Sequence, residues 1–462
     1  MNSLYHSYMK NKDTKIRVST SVGETEEKDT GENICKGTLE EANISAANID
    51  FTVNMFFKDS IDELSYGLTR IQPLLFQDDI SRVATNVLAA QKGNNRMESV
   101  METKLLDFNL DKSCYIVIGN EKSKKKLNME LKENPLLLCG QTMKNVHMEK
   151  YLGDMICSGG LALSVQATVM KRKGQTISSI LETKSVIEDC RANVLGGVTA
   201  GIDIWELAIL PFLLNNCETW TEILPKTMDT LESIQNLFLR NLLATPRSCP
   251  KPSLLWETGG LLMEHRIAKK KLMFFKHLTS LPESSLASEI TVTQEALGYP
   301  GLVMECKGLI DRYNLPDIKS LRKLQWKKLV NNSVQEENKN DLLEKIKSYK
   351  KLEHNVLSSE KFEAKEYLKT LNLPDARLRF ATRTKMTKSV QMNFKGDPKF
   401  ARNLWKCQDC LTPDTQEHIL RCPSYLHLRT NKDMKKDKDL VDYFRKVISI
   451  REKTDDQKTE KQ

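Results

Sequence analysis

The sequence contains no long apolar segment, which argues against a membrane-spanning architecture. Its most apolar stretch, residues 202–214, contains Asp203, Glu206 and Pro211 and is too short to cross a bilayer. The first ten residues, Met-Asn-Ser-Leu-Tyr-His-Ser-Tyr-Met-Lys, lack the apolar core of a secretion signal. We therefore expect an intracellular protein, nuclear or cytoplasmic, that is not secreted and has no membrane partner.

Regularly paired cysteines are also missing. The 11 cysteines are an odd number and lie mostly singly along the chain, which favours a reducing compartment over a disulfide framework. Glycine and proline are scarce, at 20 and 14 of 462 residues, and the chain is 40% hydrophobic and 28% charged. This composition indicates a globular chain of roughly two or three domains. No Ser-His-Asp arrangement, P-loop or dinucleotide fingerprint occurs, so those enzyme classes have little support.

The sequence has no excess of negative charge. Its 70 lysines and arginines outnumber 61 aspartates and glutamates, which leaves a formal net charge of +9. This modest excess favours a polyanionic partner over a basic one. A moderately basic soluble enzyme would have the same balance.

Two adjacent carboxylates, Asp78 and Asp79, lie between two short apolar runs within residues 73–84. Such runs with a short polar break predict two buried strands joined by a tight turn. Carboxylates at the tip of a hairpin form an oxygen-rich site that suits Mg²⁺ better than Zn²⁺. The alternative is a solvated turn, because aspartate favours turns for purely local reasons.

A second cluster has the spacing Cys-x2-Cys-x7-His-x3-Cys and consists of Cys407, Cys410, His418 and Cys422. The first two cysteines fit a turn in which two thiolates grip one ion, and one helical face can present the other two side chains. Trp405 and Ile419-Leu420 offer a small core that metal binding would fold. We predict a closed, structural zinc knuckle. The alternative is a chance grouping of reduced thiols.

The apolar pattern changes along the chain from mixed to helical. Residues 114–118 are the most strand-like segment, and residues 97–108 predict an amphipathic helix. From about residue 161 the apolar spacing is helical, and the last segment is highly charged and expected to fray. We divide the chain into five parts. They are an α+β unit at 1–158, a helical region at 161–330, a charged helical linker at 331–400, the knuckle at 401–430 and a charged tail at 431–462.

Further short motifs precede the Cys/His cluster in a recognisable order. They are a Gly-led segment at 31–57, the Phe76-Gln77-Asp78-Asp79 box, residues 108–118, Lys150-Tyr151-Leu152-Gly153, and a helical region with Cys217-Glu218-Thr219-Trp220. In this order and at this spacing, the chain resembles the reverse transcriptases of non-LTR (LINE-type) retrotransposons over nearly all of its length.

The resemblance implies an α+β fold, with a partial reverse-transcriptase palm followed by a mostly helical thumb and a zinc knuckle. It implies that Asp78 is a direct Mg²⁺ ligand and that Asp79 is a secondary ligand or a hydrogen-bond acceptor. It makes Lys112 a candidate to protonate or neutralise pyrophosphate, unless Lys112 is only a surface lysine. The residues implied to contact template and nucleotide are Lys36, Gly37, Ser45, Asn48 and Phe76. Those implied to form a primer grip are Tyr151, Leu152 and Gly153. The implied partners are an RNA template, a DNA primer or target and dNTP, with nucleotidyl transfer assisted by two Mg²⁺ ions.

The chain also departs from the family pattern. The family's first palm motif carries another metal-binding Asp on a strand ahead of the Gly-led segment. Here 30 residues precede Gly31, and within them Asp13 and Asp29 lie in polar surroundings. Lys36 also stands where the family usually has Gln. We therefore expect a polymerase fragment without activity of its own.

The alternatives are a non-catalytic nucleic-acid-binding remnant or domesticated protein, and an untranslated or unstable relic of the element. In the binding alternative, basic clusters would track phosphates. The candidate clusters are Lys171-Arg172-Lys173, Lys269-Lys270-Lys271, and Arg322-Lys323 with Trp326-Lys327-Lys328. Any one of these clusters can equally be a solvated helix face.

Overall fold

A computed structural model describes most of the chain from residue 79 onwards and short segments before it. The described ranges are 15–19, 25–29, 64–66, 69–71, 73–76, 79–103, 106–191, 196–349, 362–387, 406–407, 409–429 and 433–459. They form two compact units, each considered by itself: Met1–Glu149 with Cys157–Gly159, and Lys150–Ile156 with Gly160–Gln462. The division falls close to the change of pattern predicted near residue 160.

Strands occur only before residue 158 among the described residues, and each sheet there has two strands. They are β1 (Lys15–Ser19), β2 (Thr25–Asp29), β3 (Leu64–Tyr66), β4 (Thr69–Ile71), β5 (Leu74–Phe76), β6 (Asp79–Ser81), β7 (Cys114–Tyr115), β8 (Leu137–Leu138), β9 (Gln141–Thr142), β10 (Lys144–Asn145), β11 (Met148–Tyr151) and β12 (Asp154–Cys157). The fold is thus mostly helical with small sheets, which is compatible with α+β. Within the described residues these strands do not join into the larger palm sheet that the resemblance implies.

Two helices give the first unit a small core. They are α1 (Val87–Thr103) and α2 (Glu121–Glu133), and the side chains buried between them and the strands are Val87, Val117, Leu131 and Leu136. The helix predicted for 97–108 therefore begins earlier and ends sooner. The strand predicted for 114–118 is limited to β7, which pairs in parallel with β10.

The second unit is built from helices, and none of the described helices is both long and apolar enough to cross a lipid bilayer. Its α-helices are α3 (Leu161–Arg191), α4 (Gly197–Ile204), α5 (Leu210–Leu213), α6 (Pro225–Leu243), α7 (Lys251–Thr258), α8 (Met263–Leu278), α9 (Leu286–Leu297), α10 (Leu302–Arg312), α11 (Lys323–Lys347), α12 (Glu366–Thr370), α13 (Leu373–Arg383), α14 (Gln416–Arg421) and α15 (Asp437–Thr459). A π-helical turn at Trp205–Ile209 and 3-10 turns at Cys217–Thr219, Ile318–Ser320 and Pro423–Arg429 complete it.

Helix α11 runs without a break across the boundary predicted at 330, so the charged linker does not begin there. Its buried residues recur every fourth position: Trp326, Val330, Val334, Asn338, Leu342 and Ile346. Lysines, glutamates and asparagines occupy most of the other positions of the helix, so its residue composition alone does not reveal this stripe. Beyond the helix, Tyr367 and Phe380 are also part of the main apolar core, not of a linker.

The C-terminal segment also differs from the frayed tail expected for 431–462. Helix α15 buries four apolar side chains, Leu440, Tyr443, Phe444 and Val447, against the segment that carries the Cys/His cluster. The Tyr443 hydroxyl donates a 2.6 Å hydrogen bond to the Ile419 carbonyl. Because the apolar residues of α15 are spaced by three and four positions, charged residues can occupy its other face while the helix stays packed.

Candidate functional site

The hairpin predicted around the paired carboxylates is present. Strands β5 and β6 pair antiparallel, with Phe76 opposite Asp79. Asp79 is exposed as the first residue of β6, and Leu74 and Phe76 are 43% and 51% exposed, so these strands are less buried than predicted. Asp78, Lys36, Gly37, Ser45 and Asn48 lie outside the described residues. The Mg²⁺ site therefore stays a prediction.

Lys112 lies in a turn just before β7, and its side chain is exposed. Its backbone N–H donates to the Asn109 carbonyl and to the Asn109 side-chain oxygen, both at 3.2 Å. An asparagine that accepts from the backbone in this way stabilises a turn locally. The hydrogen bonds with Asn109 therefore explain the backbone conformation at Lys112. The role implied for the Lys112 ammonium group stays a prediction.

Leu152 and Gly153 form a tight turn between β11, which ends at Tyr151, and β12. The primer-grip role implied for Tyr151, Leu152 and Gly153 stays a prediction. The two central residues, Leu152 and Gly153, have φ of 46° and 90°. Two successive positive φ values define the hairpin turn whose twist matches that of the flanking strands, and glycine takes the second position without strain.

Arg172 on α3 ties this turn to the rest of the second unit. Its guanidinium donates to the Gly153 carbonyl at 2.9 Å, to Asp154 Oδ1 at 2.8 Å and to the Asn215 carbonyl at 2.8 Å. The Arg172 side chain is only 7% exposed. A buried arginine with this many acceptors satisfies its donors and fixes all three acceptors at once.

A second side chain completes the attachment. The Asn216 amide donates to the Leu152 carbonyl at 3.2 Å and to Asp154 Oδ2 at 3.0 Å. Asn216 directly precedes the Cys217-Glu218-Thr219-Trp220 stretch, and the Arg172 guanidinium carbon lies 5.8 Å from the centre of the Trp220 ring. Two motifs about 60 residues apart in the sequence therefore meet at one arginine.

The Cys/His cluster is brought together as predicted, with its four potential ligand atoms within 4.8 Å of one another: Cys407, Cys410, His418 and Cys422. The Cys407 and Cys422 sulfurs are 4.0 Å apart, and the Cys410 sulfur is 3.2 Å from His418 Nε2. Trp405, which was predicted to support this cluster, lies outside the described residues.

Local backbone bonds explain this convergence. Cys407 N–H donates to the Thr412 carbonyl and Leu411 N–H donates to the Cys407 carbonyl, which closes the turn that carries Cys410. Thr415 then caps the N-terminus of α14, because its hydroxyl accepts from His418 N–H at 3.0 Å. Three sulfurs and one imidazole in this arrangement form a donor set that fits Zn²⁺.

The thiols of the cluster differ in acidity. Burial raises the pKa of Cys407 to about 11, whereas the hydrogen bond with Thr412 lowers the pKa of Cys410. A bound Zn²⁺ would be held by these thiolates and the His418 imidazole, and would supply folding free energy rather than catalysis because all four positions are taken.

Sequence reasoning missed a second polar cluster in the helical unit. His265 is fully buried, with Nδ1 2.8 Å from the Tyr313 hydroxyl and Nε2 2.9 Å from Asp341 Oδ2. Glu264 is close by: one ligand atom each of Glu264, His265 and Asp341 lie within 4.8 Å of one another, close enough to surround an ion. Arg312, however, donates to both carboxylates, at 3.3 Å and 3.2 Å. The guanidinium therefore already supplies the compensating positive charge.

The basic clusters are less exposed than the binding alternative requires. Arg172 is buried, Lys271 pairs with Glu305, and Lys270 donates to the Leu214 carbonyl at 3.0 Å. Trp326 is fully buried, and its Nε1 donates to the Leu272 carbonyl at 3.1 Å, so it cannot stack on a base.

Exposed cations remain at the beginning of α11, namely Arg322, Lys323, Lys327 and Lys328.

Comparison with known proteins assigns no family to this chain. No family model matches it, and no curated protein matches it.

Proposed function

We propose that the chain is part of a LINE-type RNA-directed DNA polymerase, containing part of the palm, the thumb and a zinc knuckle. The observation that carries this proposal is the position of Arg172. The resemblance assigns the Tyr151-Leu152-Gly153 hairpin and the Cys217–Trp220 stretch to different parts of a reverse transcriptase. One buried guanidinium holds the first and lies beside the second.

A rigid hairpin suits a primer grip for a physical reason. The 3′-hydroxyl must be held close to the attacked phosphorus, and small displacements cost large factors in rate. Hydrogen bonds restrain the turn: its acceptors are the Leu152 and Gly153 carbonyls and both side-chain oxygens of Asp154. Leu152 is exposed at its tip, which supports the proposed contact with a primer backbone.

The resemblance implies that the catalytic step needs a further metal-binding Asp on a strand ahead of the Gly-led segment, where Asp13 and Asp29 lie in polar surroundings. Two Mg²⁺ ions would activate the hydroxyl and hold the triphosphate, and adjacent acids on one hairpin supply only part of the ligand set. We therefore propose that the chain alone binds primer and template without extending the primer.

A primer-extension assay on an RNA template with Mg²⁺, paired with fluorescence anisotropy of the same labelled duplex, tests this proposal. We expect binding without extension, and Asp78→Ala should leave the binding unchanged. Asp229→Ala, which removes an exposed carboxylate on α6, is the matched control. If the parent chain extends the primer and Asp78→Ala abolishes this extension, the inactive-fragment proposal is refuted. Absence of binding by every variant would refute the nucleic-acid role as a whole.

A second candidate, a non-catalytic nucleic-acid-binding protein, is favoured by two lysines on neighbouring helices. Burial lowers the pKa of Lys269, and the positive charges of Arg266 and Lys327 lower it further, although Glu206 opposes the shift. Neither Lys269 nor Lys327 has an ion-pair partner within the described part of the chain. An anion between α8 and α11 would relieve this repulsion, and a phosphate backbone supplies such an anion.

A further inference from the structure

The Cys/His cluster is not an isolated loop, because a helix that follows it in sequence covers it. The side chains Ile419, Cys422 and Tyr425 share one apolar core with residues of α15. A short metal knuckle normally has too few residues to bury a core of its own. Here the helix supplies that core, so the metal-ligating segment and α15 fold as one body.

One residue of α15 reaches the sulfur of the cluster itself. Arg451 Nη2 donates to the Cys407 sulfur at 3.5 Å, while Nη1 and Nη2 each donate to Asp414 at 3.0 Å. Its Nε donates to the Tyr425 hydroxyl at 3.1 Å, and that hydroxyl donates in turn to Asp409. Asp414 is completely buried, so its position and that of the guanidinium are both fixed.

We propose that Arg451 is a positioning residue for the metal centre, so that metal affinity depends on the C-terminal helix. The inference rests on metal binding by the Cys/His cluster, which is part of the proposed function. Three thiolates and a neutral imidazole around Zn²⁺ carry a net negative charge. A guanidinium beside Cys407 stabilises that charge and orients the sulfur, and its bidentate pair with Asp414 prevents it from turning away.

Lysine could not replace Arg451 in this role. Arginine presents several donors in a rigid plane, so one group can contact Asp414, Tyr425 and the sulfur together. A lysine ammonium would keep the charge but would have to choose among these acceptors. The geometry therefore requires a guanidinium at this position.

Cobalt titration of the full chain tests the role, because sulfur-to-cobalt charge-transfer absorption reports on the thiolates directly. We expect Arg451→Met to weaken Co²⁺ and Zn²⁺ binding by about 10- to 100-fold and to shift the charge-transfer band. Arg451→Lys should recover only part of the affinity. Lys446→Met, an exposed position on the same helix, is the control and should bind as the parent chain does.

Loss of Arg451 also removes the guanidinium that pairs with the buried Asp414 carboxylate, and this alone weakens folding. The double variant Arg451→Met/Asp414→Asn also removes the carboxylate charge while still lacking the N–H to sulfur bond. The proposal expects this variant to fold, by circular dichroism, and still to bind Co²⁺ weakly with a shifted band. A double variant with parental affinity and an unshifted band overturns it. A parent chain that binds no Co²⁺ overturns the metal site itself.

Discussion

The Arg172 guanidinium and the Asp154 carboxylate form an ion pair at 2.8 Å, with the Arg172 side chain almost completely buried. The pair connects the centre of a long helix to the first residue of a strand. It also shares Asp154 with Asn216, so the tight turn at Leu152-Gly153 is held from two sides. Removing Asp154 would leave the buried Arg172 charge without its counter-charge, and removing Arg172 would take the paired cation from the partly exposed Asp154 carboxylate.

We expect Arg172→Ala to lower the free energy of unfolding by about 3 kcal/mol, the usual loss when one partner of a buried pair is removed. Lys184→Ala, an exposed position on the same helix, should change it by less than about 0.5 kcal/mol. Urea unfolding followed by far-ultraviolet circular dichroism measures both. Equal effects of the two substitutions would show that Arg172 does not hold the hairpin.

Gly153→Ala tests the turn itself. Its φ of 90° is strained for any residue with a Cβ, so we expect a loss of about 1–3 kcal/mol. Gly174→Ala is the matched control, because it lies within α3 with open space around a new Cβ. That substitution should stabilise the chain by about 0.5–1 kcal/mol. Urea unfolding measures the change in the free energy of unfolding for both variants, which should have opposite signs. A Gly153→Ala variant with unchanged stability would contradict the turn assignment.

The stability of the helical unit should depend on the protonation of His265. Burial lowers the pKa of this imidazole below its ordinary value of 6.5, although Glu264 and Asp341 oppose the shift. Below that pH the unfolded chain binds a proton that the folded chain resists, so the free energy of unfolding falls as the pH drops. The loss levels off below the lowered pKa of the folded state.

Urea unfolding between pH 7.5 and about 5.5 measures this dependence. We expect His265→Gln to have a flatter profile than the parent chain over this range. His277→Gln, which changes an exposed histidine on the same helix, should leave the profile unchanged. Parallel profiles for the parent and His265→Gln would contradict the assignment.

Nucleic-acid binding, if it uses the beginning of α11, should depend on Lys327 and Lys328. We expect Lys327→Ala/Lys328→Ala to weaken binding to any sequence and to reduce the slope of log affinity against log salt by about 2. Lys226→Ala, an exposed lysine on α6, should change neither quantity. Anisotropy titrations at several salt concentrations give both. An unchanged slope would exclude this surface.

The metal content of the purified chain provides a direct test of the Cys/His cluster. We expect about one Zn²⁺ per chain, and Cys422→Ser should release it. Cys139→Ser removes an exposed cysteine outside the cluster and should retain the metal. Elemental analysis after dialysis against a weak chelator measures the ratio. Retention of metal by Cys422→Ser would place the ion elsewhere.

Local features were accessible from the sequence, because they depend on neighbouring residues. The β5–β6 hairpin follows from two short apolar runs, and the convergence of Cys407, Cys410, His418 and Cys422 follows from their spacing. In each case a turn or one helical face brings the groups together. The packing of α15 against the Cys/His segment was not visible in that spacing.

Contacts between distant segments were not accessible. His265 and Asp341 are 76 residues apart, and nothing in the periodicity of either helix indicates that they meet. Arg172 was misread for the same reason. Between two lysines it looks like part of a phosphate-binding cluster, yet its acceptors Gly153 and Asn215 come from other segments. Sequence patterns indicate which face of a helix is apolar, but not which partner covers it.

The four-residue spacing of buried positions in α11 has a mechanical consequence. Four residues rotate a helix by about 40° more than one full turn, so the buried stripe winds by about 200° between Trp326 and Ile346. Its first half faces the apolar cluster around Leu272 and its second half faces the cluster around Leu231. At the crossover Asn338 accepts a hydrogen bond from Leu262 N–H at 2.8 Å. If α11 unfolds, the apolar side chains of both clusters become exposed to water. The two clusters should therefore unfold together as one cooperative unit.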